Sequence, residues 1–295
     1  MNCCNSFRKT AMLLLALDTS TRQASVALCT EDTLLGECTW QVGNNHSVEL
    51  LERIQRLMAE CRTDMAEIDG VAVATGPGSF NGLRVAVATA KALAFALRKP
   101  IVGISTLDVI AAEQWQWNGP ICAVLEAGHA ELYVACYQSH KTYSSDGAIV
   151  YALRRQSDYL LLPAQKVSSY LKEHAGSWAG TPGERTLLPF LFCGEMLAAS
   201  RQVLHEHMRE GAIFVESVQA SRHASVLAML ARQRFQKGEE DNPLLLEPMY
   251  LRRPSITTST RKQPLLGGKA NRSVATGQRP TGPSETEREE GAIRH

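Results

Sequence analysis

Two short segments hold the residues whose types and spacing could do chemistry. Asp18-Thr19-Ser20 closes an apolar run, and Thr75-Gly76-Pro77-Gly78-Ser79-Phe80-Asn81-Gly82-Leu83-Arg84 is a glycine-rich turn between a strand pattern and a helix pattern. An acidic residue at a strand end can serve a phosphate and its metal, and a glycine-rich turn can bring backbone N–H groups and a helix N-terminus up to an anion. Asp18, Gly76, Gly78 and Ser79 are therefore the candidate nucleotide-binding residues. Two features weigh against that use. The turn after Asp18 continues Thr21-Arg22 without the glycine that close approach to a phosphate favours, and the second turn has neither Walker nor G-x-G-x-x-G spacing. A tightly packed turn without a ligand fits it equally well, as does an aspartate that satisfies turn amides. Asn81 is the expected N-cap, accepting from the N–H of Leu83 or Arg84.

Other chemistries find little footing. The eight cysteines, Cys3, Cys4, Cys29, Cys38, Cys61, Cys122, Cys136 and Cys193, form no C-x-x-C pair, and most sit in apolar runs, as in a reducing, cytoplasmic setting. No H-x-x-x-H pair exists; His205 and His207 stand two apart on an expected helix and so point in different directions. Gly103-Ile104-Ser105 begins like a nucleophile elbow but continues Thr106-Leu107. The sequence thus predicts no catalytic residue, no resident metal and no cofactor in the isolated chain.

The elements that would position these residues follow from periodicity. The chain has 295 residues, 44% hydrophobic and 21% charged, with a formal net charge of +1, which disfavours an autonomous nucleic-acid binder. Residues 1–11 read as an extension, since the apolar run Met12–Leu17 is too short for a secretory leader. Residues 254–295 contain no aromatic residue and carry seven Lys+Arg against four Asp+Glu, the composition of a disordered tail. Between them, Met12–Leu17, Ala24–Thr30 and Leu34–Val42 read as three strands, followed by a helix over Ser47–Arg62, a strand at Gly70–Ala74, a helix over Gly82–Leu97, a strand at Ile101–Ile104 and a helix near Leu107–Trp115. That βββαβαβα order builds a mixed sheet with helices on its faces. A second unit starts with strands at Ile121–Glu126 and Glu131–Tyr137; helices at Ala164–His174, Glu195–Arg209 and Ser221–Lys237 and a strand at Ile213–Val215 follow. The expected organisation is an N-terminal lobe over 12–117 and a reduced C-terminal lobe over 118–253. No stretch reaches the roughly 18 consecutive apolar residues of a membrane span.

The second helix is apolar almost all round. Leu83, Ala86, Val87, Ala90, Leu93, Ala94 and Leu97 make one face, and Val85, Ala88, Ala92, Phe95 and Ala96 another. The alanine-rich side suits close approach of a second helix, either from a partner or from the same lobe.

Taken in order, Leu15-Ala16-Leu17-Asp18-Thr19-Ser20-Thr21, His46-Ser47, Gly76 to Arg84, Gly103 to Leu107, Glu131-Leu132-Tyr133 and Glu247 to Arg252 make the chain resemble the TsaB (YeaZ) family, from about Met12 to Arg253. That resemblance implies an α/β, actin-like ATPase (ribonuclease-H-like) fold of two lobes with mixed sheets, the second degenerate. It implies a non-catalytic subunit that pairs with a TsaD-like catalytic subunit and a TsaE-like ATPase for threonylcarbamoyl transfer to the tRNA adenosine beside the anticodon, meeting tRNA only through the complex. The family's pairing uses the first two helices, which here carry His46, Leu83, Arg84, Ala88, Ala92 and Phe95 as interface residues; a homodimer is also implied. ATP or ADP and a divalent metal would belong to the partner subunits. Asn81 stands where the family has Thr, and Glu126-Ala127-Gly128-His129 replaces its Asp-Ala-Arg stretch. The competing readings are an independent ATP-dependent kinase or ATPase of the same architecture, and a peptidase.

Overall fold

Alternating large and small residues set up the first sheet. In the computed structural model, which describes residues 12–43, 46–143, 149–178, 188–216 and 221–252, β1 (Leu14–Asp18), β2 (Gln23–Cys29) and β3 (Leu34–Gln41) form an antiparallel meander. β4 (Gly70–Gly76) joins parallel to β1 and β5 (Ile101–Ser105) parallel to β4, giving the order β3-β2-β1-β4-β5. Side chains alternate across a strand. Leu15, Leu17, Val71 and Val73 accordingly face one side, where α1 (His46–Glu60) and α2 (Phe80–Leu97) cover them with Leu50, Ile54, Ala86 and Ala90. Ala16, Ala27, Ala72 and Ala74 face the other, where small side chains admit α6 (Ala224–Gln236) through Ala224, Leu227, Ala228 and Ala231.

The second sheet repeats this wiring. β6 (Pro120–Gly128), β7 (Glu131–Tyr143) and β8 (Ile149–Arg155) are the meander, and β10 (Phe190–Glu195) and β11 (Ala212–Phe214) add in parallel. The order β8-β7-β6-β10-β11 matches the first sheet strand for strand, with β9 (Leu160–Pro163) paired to β7 as an extra. Between them, α4 (Ala164–Trp178) and α5 (Ala198–Met208) stand in the chain positions of α1 and α2. This is the two-lobed, actin-like ATPase architecture. The second copy departs from the first at its edge, where β11 has three residues and β5 has five.

The lobes exchange their last helices. α3 (Thr106–Ala112), which follows the first sheet, buries Leu107, Ile110 and Ala111 against Ile121, Ala123, Leu125 and Ala135 of the second sheet. α6, which follows the second sheet, packs on the first. Packing therefore crosses the boundary expected at 117/118. The expected extension over 1–11 and tail over 254–295 lie outside the described residues.

The structure corrects one local expectation. α2 begins at Phe80, and its N-cap is Ser79, whose side chain accepts from Gly82 N at 3.3 Å; Asn81 is exposed within the first turn. The reason is tertiary: the Ser79 N–H donates to Ser20 O at 2.6 Å, which holds Ser79 extended at the helix entrance.

Candidate functional site

At the end of β1 the chain brings together the most deeply buried charges among the described residues. Asp18 and Arg222 are each 1% exposed. Asp18 Oδ1 accepts from the N–H and hydroxyl of Ser20 at 2.8 and 2.5 Å, and Oδ2 accepts from Arg222 Nε at 3.1 Å. The guanidinium also pairs with Glu195 at the end of β10, and donates to Thr21 Oγ1 at 2.6 Å and Gln23 O at 2.8 Å. Burial works against its charge, but Asp18 and Glu195 together outweigh that penalty and raise its pKa further above the ordinary arginine value. Arg222 thus joins the first β-turn of one lobe to the central parallel strand of the other.

The glycine-rich turn is filled in the same way. A Cβ on Gly78 would stand 2.2 Å from Ser20 O, and one on Gly82 would stand 2.0 Å from Thr19 O, so the glycines admit the β1–β2 turn itself. Thr19 Oγ1 donates to Gly82 O at 2.7 Å. Gly76, at φ +109°, leaves room for Leu83 and for Met249 O, while Met249 N donates to Thr75 O at 2.7 Å. Asp18, Gly76, Gly78 and Ser79 do come together, but as a turn clasped on a turn. Neither the carboxylate nor the loop amide of Ser79 is left to receive a nucleotide and its metal, so these residues do not fit that group.

α2 presents the outward surface. Leu83 is fully buried against the sheet, which corrects its assignment as an interface residue. Its position on the wheel, with Ala86 and Ala90, belongs to the core face. Arg84, Ala88, Ala92, Phe95 and Ala96 are exposed, Phe95 at 82%. The side chain of His46, at the head of α1, lies outside the described residues. One flank of this ridge packs through Val85 and Leu93 into the cluster shared with α1. The other is bordered by residues 241–250, a strap that runs antiparallel to α2. Asp241 N donates to Ile101 O at 2.8 Å, Lys91 Nζ to Leu246 O at 3.0 Å, and the rings of Phe80 and Tyr250 lie 5.3 Å apart. Asn242 Oδ1 receives the Leu244 N–H at 2.9 Å, shaping a turn that leaves Leu244 and Leu245 exposed at 81% and 76%. Ridge and strap together thus carry exposed apolar side chains, and the ridge's Arg84 lies over the Phe80 ring.

Two polar clusters escaped sequence reasoning. Asp108 of α3 accepts from Tyr137 and Tyr159 hydroxyls at 2.7 and 2.9 Å; burial raises its pKa above 3.8, while the two tyrosines and Arg155 hold it down. Arg252 pairs with Glu131 and donates to Ala127 O at 3.0 Å, closing the strap onto the β6–β7 hairpin. In that hairpin Gly128 takes φ +76°, a backbone that a side chain at this position would strain. His205 and His207 are both exposed, and no group of three or more His, Cys, Asp or Glu among the described residues could hold a metal ion.

The model of the family described as "TsaD: tRNA N6-adenosine threonylcarbamoyltransferase" matches residues 41–259. The tRNA threonylcarbamoyladenosine biosynthesis protein TsaB of Bacillus subtilis is 35% identical over 127 residues, 43% of this chain and 56% of that protein. The TsaB of Escherichia coli K12 is 33% identical over 129 residues, 43% of this chain and 55% of its own. The chain thus aligns with about half the length of these curated relatives. Among solved structures, YeaZ from Pseudomonas aeruginosa is 25% identical with a TM-score of 0.62, covering 81% of this chain and 100% of that one. The chain belongs to the family of the matched transferase model, as one of its TsaB (YeaZ) members.

Proposed function

We propose that this chain is a non-catalytic subunit of tRNA threonylcarbamoyladenosine synthesis, docking through the α2 ridge onto a TsaD-like catalytic subunit that a TsaE-like ATPase joins. The observation that carries the reading is the exposed ridge itself. Ala88 and Ala92 stand one turn apart and outward on a helix whose remaining faces are already covered by the sheet, α1 and the strap. Exposed alanines flanked by Phe95 and the strap leucines permit a second helix to approach closely, and an apolar patch of this kind on a soluble fold marks an interaction surface. A closed nucleotide cleft fits the same role. In this reading ATP or ADP and its divalent metal act in the partners, and this chain meets tRNA only through the complex in the cytoplasm. The same ridge would pair two copies when no partner is present.

Ala92→Trp tests it. Overpacking a close helix contact costs about 1–3 kcal/mol, which weakens association roughly 5- to 150-fold. The variant is expected to keep its circular dichroism spectrum and lose affinity for the catalytic subunit by that factor in calorimetry. A folded variant that binds like the parent shows that partners dock elsewhere.

A further inference from the structure

The buried charge cluster touches the docking helix through a short, unbroken series of contacts. Arg222 pairs with Glu195 of β10 and with Asp18. Asp18 Oδ1 in turn holds the N–H and the hydroxyl of Ser20. Ser20 O receives the Ser79 N–H, Thr19 Oγ1 donates to Gly82 O, and the backbones of Gly78 and Gly82 lie hard against Ser20 and Thr19. Ser79 and Gly82 are the N-cap and the first buried residue of α2. Asp18, Thr19, Ser20 and Arg222 are all buried, and the turn touches the helix entrance at backbone atoms, so a displacement of the β1–β2 turn is passed on to the helix.

We infer that Arg222 is a positioning residue, which sets the angle at which α2 leaves the glycine-rich turn and thereby the placement of the docking ridge relative to the second lobe. The reading rests on the proposed function only for what the ridge binds; the positioning itself belongs to the isolated chain. It also assigns a use to a fully buried arginine. The guanidinium stands between carboxylates from both lobes, and four of its five donors reach both carboxylates, Thr21 and the Gln23 carbonyl together.

Hydrogen exchange on the isolated chain tests the positioning, using D18N/E195Q/R222M, in which no buried charge is left unpaired. The Ser79 and Gly82 amides are expected to exchange roughly tenfold or more faster, while amides of the β6–β7 pair stay at parental rates. In a Thr19→Val background, where one link between turn and helix is already removed, the triple change is expected to add much less. Unchanged exchange at Ser79 and Gly82 overturns the inference, as does a rise spread equally over β6 and β7, or an undiminished rise in the Thr19→Val background. Affinity for the catalytic subunit is expected to fall roughly 2- to 30-fold. Faster exchange with parental affinity overturns the link to docking, whereas failure of the ridge as such shows independently in Ala92→Trp.

Discussion

A guanidinium at 1% exposure is tolerated in a protein interior only where its charge and its donors are answered, and Asp18, Glu195, Thr21 and Gln23 answer those of Arg222. Removing one partner is worse than removing all. Arg222→Met alone strands two carboxylates and is expected to cost about 3–5 kcal/mol in urea unfolding, most of which returns when Asp18→Asn and Glu195→Gln are added. Additive losses would contradict the coupling. Asp108 gives a pH signature instead. Its carboxyl titrates above 3.8 in the fold because burial disfavours its charge, so the native state holds that proton more tightly than the unfolded chain. Its contribution to stability is therefore full at low pH and is lost as pH rises through the folded value. Asp108→Asn is expected to remove this part of the pH dependence, so that its stability relative to the parent grows with rising pH; an unchanged slope contradicts the assignment. Asp18 was legible as a candidate from its place at a strand end, but its partner lies 204 residues away and no local spacing announces Arg222.

Elements were legible where period and punctuation were strong. The meander, α1, α2 and the strands on either side of α2 could all be read from apolar spacing, because each carries a buried face at a regular interval. The N-cap was misplaced by two residues, since Ser79 and Asn81 are both good caps and a contact from Ser20 decides between them. β10 was not legible: Phe190–Glu195 is a short, nearly continuous apolar run buried between β6 and β11, without alternation to mark it. Glu195 therefore read as the start of a helix that begins only at Ala198, where Leu197 N and the Ser200 hydroxyl donate to Glu126 on another strand. The length and composition of α2 would serve a membrane span, yet its inner face packs on the sheet through Ala86, Val87, Ala90 and Ala94. The turn-on-turn clasp makes a direct prediction. Gly82→Ala places a methyl 2.0 Å from Thr19 O, a backbone atom that cannot swing aside. A thermal or urea melt should show a loss of about 1–3 kcal/mol, the usual range for overpacking; a neutral outcome would mean that the helix entrance is not clamped.

At the scale of the molecule, one wiring is used twice, and the two copies are tied by exchanged helices and by Arg222. The repeat was legible as an order of elements. The exchange was not, because alanines on β1 and β4 signal a close neighbour without saying from which half of the chain it comes. What the second lobe contributes is support: Glu195 holds the clasp, and the Arg252–Glu131 pair anchors the strap beside α2. The tail expected from the composition of residues 254–295 makes its own prediction: truncation after Arg253 is expected to leave the thermal midpoint and partner affinity unchanged, and a large loss of either contradicts that expectation. In the proposed role, partners dock on the α2 ridge. Photo-crosslinking tests this docking, with p-benzoylphenylalanine replacing Phe95, whose side chain is 82% exposed and so leaves room for the added benzoyl group, and a control replacement at Ile213, 40% exposed on the second lobe. Irradiation of the assembled complex is expected to join position 95, and not position 213, to a helix of the catalytic subunit. Crosslinking from 213 with none from 95 would contradict it.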